Sequence, residues 1–251
     1  MTLDNSIKYH FNDFTRKNYL KILRTARMNY RFVFYGSQRV LSKTIYLRHD
    51  VDFSMNSALA LAKIEKKLNI KSTYFILPHS DFYNLLEPEI TGIVRRIIKL
   101  GHRIGLHFDC HYYRIKDESE LVRRLKSEKK FFENLFDTRI QVFSFHNPDK
   151  FALSCTKYRY TGMVNTYAEF FKNKVSYISD SNGYWRHNRL QEVLMSAKEN
   201  SIQILLHPEW WQDKVMSPKE RVWRCIDGRA SKTRDKYLAV LRKFKRNHID
   251  W

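Results

Sequence analysis

The sequence predicts an α/β fold in which parallel strands alternate with covering helices and curl into a barrel, complete or incomplete. Three observations predict it. Short apolar runs recur along the 251 residues, and most are followed by a segment of helical periodicity. Each strand-plus-helix unit takes roughly 30 to 50 residues, so six or seven units fit the chain, too many for a small open sheet. The runs also stop at polar, chemistry-bearing side chains, and strand ends at one edge of such sheets are where these folds place their sites.

The elements follow in order. Phe11, Phe14, Tyr19, Leu20 and Leu23 give an apolar side to a helix over 11–29, and R-F-V-F-Y (31–35) reads as a short strand before Gly36. T-I-Y-L-R-H-D (44–50) is a strand, followed by a helix over 54–69 that Ser54 or Asn56 can cap. S-T-Y-F-I-L (72–77) is the next strand, and Ile90, Ile93, Val94, Ile97 and Ile98 form the buried side of a helix over 87–100 closed by Gly101. A strand at 103–108, a charged helix at 117–136 and the strand Q-V-F-S-F-H (141–146) continue the alternation. Weaker strands are expected at 162–167 and 175–180, then a helix over 188–200 and a strand over 202–207. A basic helix closes the chain at 231–248. No repeat or linker divides the sequence. It reads as one domain over 1–251, with 1–43 as an N-terminal helical extension and 218–251 as a C-terminal basic helix.

Composition narrows the function. Hydrophobic residues at 43% supply a full core. Cys110, Cys155 and Cys225 are odd in number and far apart, which argues against a disulfide framework or a cysteine-rich zinc site. No apolar run reaches the roughly 18 residues that cross a bilayer, and the first residues lack an apolar signal core, so a cytoplasmic protein is expected. The formal net charge of +20 attracts polyanions: phosphate-bearing substrates, the inner face of an anionic membrane, or nucleic acid. Nucleic acid is the least favoured, because the basic residues are scattered and not interleaved with aromatics. Dinucleotide-binding, P-loop, nucleophile-elbow and H-E-x-x-H motifs are missing from the sequence.

Five positions carry the candidate chemistry. Asp50 and Asp52 lie two apart at a strand end and share one side of it. Two such carboxylates repel unless a cation lies between them, so one reads as a metal ligand and the other as a base. His107 and His111 follow another strand and can converge on one divalent ion such as zinc. His207 ends I-Q-I-L-L-H and reads as a general acid, or as a satisfied core histidine. Asp180 can orient it, or only shape a turn. Arg48 points with Asp50 and can tune it or hold a substrate anion. His146, Trp185 and Trp210 lie beyond strand ends and are expected to contact substrate, with turn or packing roles as the alternative. Asp109 can fix the loop between the two histidines.

These residues resemble the polysaccharide deacetylase family, the NodB-homology or carbohydrate esterase 4-like group, over about residues 44–211. R-H-D-V-D (48–52) resembles a variant of its first motif, H-F-D-C-H (107–111) its second and L-L-H-P (205–208) its last. The family's arginine-containing R-x-P motif is missing, and F-H-N-P (145–148) stands near its place. The resemblance implies a distorted (β/α) barrel of about seven parallel strands and one divalent metal, most often zinc. It implies Asp50 as base, Asp52, His107 and His111 as metal ligands, and His207 as acid with Asp180 behind it. It also implies an oxyanion donor at the backbone N–H of Tyr112 or Tyr113. The expected reaction is removal of an N-acetyl group from an amino sugar in surface-polysaccharide metabolism, the sugar carried on a nucleotide or lipid pyrophosphate. The alternatives are another amide or ureide hydrolase on the same scaffold, or an inactive carbohydrate-binding or assembly protein.

Overall fold

The computed structural model describes residues 4–36, 38 and 42–249. Positions 1–3, 37 and 39–41 of the expected N-terminal extension, and 250–251 of the C-terminal segment, lie outside the described residues. The strands are β1 (Arg31–Phe32), β2 (Thr44–Val51), β3 (Thr73–Ile76), β4 (Arg103–Phe108), β5 (Val142–Phe145), β6 (Arg159–Tyr160), β7 (Met163–Asn165), β8 (Ser176–Ser179) and β9 (Ser201–Leu206). They form one sheet in the order β6-β7-β5-β4-β3-β2-β9-β8, with β1 added beside β2. Every pairing is parallel except β6 with β7. Seven strands of this path therefore run the same way, as expected, and their C-terminal ends share one edge.

The sheet is curled. In a flat sheet β2 and β5 would stand about 14 Å apart, three strand spacings. Arg48 on β2 nevertheless donates to Ser144 on β5 at 2.8 Å, and to Thr166 beyond β7 at 3.0 Å. Tyr46, Phe75, Val142 and Val164 pack together inside the curl. Strand parity explains the division: Tyr46, Arg48 and Asp50 face inward, while Ile45 and Leu47 face the outer helices.

Among the described residues the α-helices are α1 (Asn5–Lys8), α2 (Arg16–Asn29), α3 (Met55–Lys67), α4 (Pro88–Lys99), α5 (Cys110–Tyr113), α6 (Glu118–Phe136), α7 (Lys150–Ser154), α8 (Glu169–Lys174), α9 (Leu190–Ser196) and α10 (Pro218–Lys243). The expected helix over 11–29 divides at Thr15: a 3-10 turn spans Phe11–Phe14, and Thr15 Oγ1 then caps α2 by accepting from Asn18 N–H at 3.2 Å. Its Tyr19, Ile22, Leu23 and Ala26 are buried in the outer core. The strand expected over 31–35 shortens to two residues. The helix expected over 188–200 stops at Ala197, whose φ of 47° is left-handed and ends the ladder. The closing helix starts at Pro218, where the C-terminal basic helix was expected to begin, behind a capping box in which Ser217 and Glu220 exchange side-chain and backbone hydrogen bonds.

A buried polar knot fastens α3 to the sheet. Glu65 sits at an apolar-face position of α3 and is 0% exposed. Its Oε1 meets His49 Nε2 at 2.6 Å and accepts from Tyr19 O–H at 2.5 Å. Its Oε2 accepts from Ser72 at 2.5 Å and Tyr74 at 2.9 Å. Burial pushes the carboxyl up, but the charge and hydrogen bond of His49, with His102 and Ser72, overcome this and bring it from 4.5 down to about 2. Glu65→Ala should cost about 3–5 kcal/mol at neutral pH, because it strands several buried partners. Because the folded value lies below the unfolded one, the contribution of ionised Glu65 is complete above about 4.5 and is lost as pH falls toward 2. Urea unfolding of the wild type, Glu65→Ala and Glu65→Gln, at neutral pH and across that interval, checks both points, and equal acid sensitivity of the wild type and Glu65→Gln would refute the second.

Candidate active site

The strand ends bring the candidate residues to one edge. Asp52 follows β2, His107 lies at the end of β4, His146 follows β5, Asp180 follows β8 and His207 follows β9. Asp52 Oδ1 lies 3.2 Å from His107 Nε2 and 3.4 Å from His146 Nδ1. The two imidazole nitrogens are 3.2 Å apart. One ligand atom from each of the three residues falls within 4.8 Å of the others. Asp52 Oδ1 is buried and has no hydrogen-bond partner among the described residues. Two imidazoles and a carboxylate around an unbonded oxygen form a donor set that suits a divalent transition metal such as zinc.

The gathered trio differs from the expected one in a single member. His111 is exposed, and its Nε2 lies 3.0 Å from the backbone carbonyl of Asn147. The reason is local. The chain leaves β4 and turns at Asp109 into the one-turn helix α5, so His107 and His111 do not share one helical face. Asp109 fixes this turn by accepting from His111 N–H at 2.8 Å and Tyr112 N–H at 3.3 Å. The Tyr112 N–H, expected as an oxyanion donor, is therefore already engaged. His146, expected at the substrate, stands where His111 was expected.

Beneath the trio, Asp50 is 2% exposed and locked to Arg48. Arg48 Nε donates to Oδ1 at 2.8 Å and Nη2 to Oδ2 at 2.6 Å. Asp50 Oδ2 lies 3.5 Å from His107 Nε2, against the trio. Burial would raise the Asp50 carboxyl, but Arg48 and His107 together hold it below its ordinary value. Arg48 is itself 0% exposed and spends its remaining donors on Thr166, Ser144 and Tyr167. It tunes Asp50 and is not placed to meet a substrate anion, because its inward parity buries it under the edge. Ser144 links the two layers, its Oγ lying 2.8 Å from both Arg48 Nη2 and His107 Nδ1.

Across the edge, His207 and Asp180 form a pair. His207 Nδ1 is 2.7 Å from Asp180 Oδ1, and the His207 backbone N–H donates to the same carboxylate at 3.0 and 3.1 Å. Trp211 Nε1 donates to Asp180 Oδ2 at 3.0 Å. Burial would lower the imidazole, but the hydrogen bond and charge of Asp180, with Asp52 and Glu209, raise it to about 10. His207 is thus an imidazolium at neutral pH, its Nε2 3.9 Å from Asp52 Oδ2.

These groups open into a cavity of about 440 Å³ lined by Asp52, Phe53, His79, His146, His207 and Trp210, among others. Trp210 is at the cleft as expected. Trp185 is not among the lining residues: its Nε1 donates to Asp13 at 2.9 Å and its ring stacks on Phe14 with centroids 5.0 Å apart. Beyond the turn at Ser181–Gly183, Trp185 is held against the 3-10 turn at Phe11–Phe14. His79 bonds Tyr113 and Glu128 at 3.0 and 2.9 Å. Sequence reasoning missed Ser144 and Glu209. Ser144 shares inward parity with His146 in F-S-F-H, a signal that was present. Glu209 is 0% exposed with both oxygens unbonded among the described residues; burial and the charge of Asp52 push its carboxyl well above the usual range.

No family model and no curated protein matches the chain. Solved structures do. A family 4 carbohydrate esterase from Bacillus anthracis is 16% identical, with 84% of this chain and 86% of that one covered and a TM-score of 0.44. The CE4 domain of a multidomain xylanase from the hindgut metagenome of Trinervitermes trinervoides is 11% identical, with 81% and 91% covered and a TM-score of 0.44. The chitin deacetylase of the fungal pathogen Colletotrichum lindemuthianum is 13% identical, with 79% and 86% covered and a TM-score of 0.43.

Proposed function

We propose that this chain is a divalent-metal-dependent hydrolase that removes the N-acetyl group from an amino sugar. One observation carries the reading: a carboxylate–imidazole trio faces His207 and its partner Asp180 across a cleft, with the Asp50 carboxylate directly beneath. The motif resemblance through R-H-D-V-D, H-F-D-C-H and L-L-H-P supports the same chemistry.

Asp52, His107 and His146 would hold the ion. A bound zinc would supply Lewis-acid polarisation of the acetyl carbonyl and acidify water. Asp50 is ionised under the influence of Arg48, so it can accept the proton of the attacking water. His207 holds a proton at Nε2 and gives it to the departing amine, so one amide and one water become acetate and a free amino sugar. Asp180 is a positioning residue: it fixes the imidazole through Nδ1 and stabilises its charge. Phe53 and Trp210 supply apolar faces for a sugar ring along the cleft. Among the described residues, no helix is long and apolar enough to cross a membrane. The net charge of +20 favours a substrate with a phosphate-bearing carrier.

The test is acetate release from a panel of acetamido sugars, free and diphosphate-linked, before and after chelation. Activity lost on chelation and restored by zinc is the expected result. A protein that binds the ion yet releases no acetate from any sugar moves the reading to smaller amides, and a protein that binds no divalent ion sinks it.

A further inference from the structure

We infer that the distal end of α10 docks the protein on an anionic lipid surface. The helix has 26 residues and is about 39 Å long. It is tied to the body as far as Lys236. Arg221 is buried, Arg229 makes a two-pronged pair with Glu87 at 2.7 Å, and Lys232 and Lys236 reach Glu89 and Glu87. Beyond Lys236 the ion pairs to the body end, among the described residues.

Two properties of the free end define its partner. Apolar side chains continue along one stripe and face water: Tyr237 is 54% exposed, Val240 49% and Phe244 58%. Trp223, at 51%, begins the same stripe nearer the body. Residues 223, 226, 230, 233, 237, 240 and 244 follow each other in steps of three and four, which keeps them on one side of a helix. The stripe lies about a quarter turn from the side that docks on the body, which carries Cys225, Arg229 and Lys232. The flanks are cationic. Residues 237–249 carry four Lys or Arg (Arg242, Lys243, Lys245 and Arg246) and no Asp or Glu. Past Phe244 the chain turns back, and the His248 ring meets Tyr237 with centroids 5.5 Å apart, leaving Tyr237 half exposed.

Steps of three and four also suit a helix pairing with a second copy. The charges decide against it. Arg234 and Lys243 border the stripe with no ion pair to the body among the described residues, so self-pairing would bring like charges together. An anionic bilayer surface matches both features: the apolar stripe enters the headgroup boundary while the flanking lysines and arginines meet lipid phosphates. The same helix lines a second cavity with Arg224, Cys225 and Arg229, and Phe53 and Phe82 belong both to that cavity and to the catalytic cleft. Docking would therefore hold the cleft beside the membrane.

The experiment is sedimentation of the full chain with vesicles of pure phosphatidylcholine and with vesicles containing phosphatidylglycerol. Two exposed triple variants accompany it: Tyr237→Ser/Val240→Ser/Phe244→Ser and Lys243→Glu/Lys245→Glu/Arg246→Glu. The expected result is salt-sensitive binding to the anionic vesicles only, weakened by roughly tenfold or more in each variant. Metal content and acetate release from a soluble sugar should stay unchanged in both, so failure here is separate from failure of the catalytic reading. Equal binding by wild type and variants, or none to anionic vesicles, overturns the inference. So does a dimer that the serine variant abolishes without lipid, which would assign the stripe to a second copy. Tight binding to duplex oligonucleotide without vesicle binding would assign it to nucleic acid.

Discussion

His146→Ala is expected to lose divalent-ion binding, with affinity falling by at least about a hundredfold, while His111→Ala keeps the ion nearly as well as the wild type. The two variants separate the trio that the structure gathers from the trio that the motif resemblance implies. His146 Nδ1 stands 3.4 Å from Asp52 Oδ1 and 3.2 Å from His107 Nε2. His111 is turned to the Asn147 carbonyl, and Asp109 caps its loop in that position. Moving His111 inward would break the Asn147 contact and strain the cap on α5. Zinc titration against a competing chelator reads both variants directly. If His111→Ala loses the ion and His146→Ala keeps it, the loop over 109–113 rearranges on metal binding and the motif identifies the ligands correctly.

Much of this was legible in the sequence, for a physical reason. A strand alternates its faces every residue, so Asp50 and Asp52 had to share a side, and Arg48 had to share it with them. The apolar runs ending in Asp, His and His marked strand ends, and parallel order brought those ends to one edge. Asp180 with His207 was legible as a pair for the same reason: β8 and β9 are neighbours, with Ser179 in register with Leu205. What failed was inference through loops. His107 and His111 straddle a strand end as expected, but the Asp109-capped turn directs the His111 ring to the Asn147 carbonyl. Trp185 was assigned to the cleft from its place after a strand, yet the Ser181–Gly183 turn delivers it to Asp13. The C-terminal basic helix does begin at Pro218 as expected, where S-P-K-E (217–220) forms its capping box.

Asp50→Asn is expected to lower kcat by about 10² to 10⁴-fold while the divalent ion stays bound. The substitution keeps the shape of the side chain and removes only its ability to accept a proton. The ligand atoms of Asp52, His107 and His146 are untouched, so metal content separates this variant from those that lose the ion. Stability should fall as well, because the fully buried Arg48 loses its only carboxylate partner among the described residues and its charge is left uncompensated. Breaking a buried pair of this kind costs about 3–5 kcal/mol. Activity is therefore measured below the variant's own unfolding midpoint. The pH profile supplies the independent readout. Arg48 and His107 hold the Asp50 carboxyl below its ordinary 3.8 against the opposing effect of burial, so its proton-accepting form persists across the neutral range and is lost only on strong acidification. An acidic limb near neutrality would point to a different base. Full activity in Asp50→Asn with the ion bound would make Asp50 only the counter-ion of Arg48, and the proton acceptor would have to be sought among the residues that line the cleft.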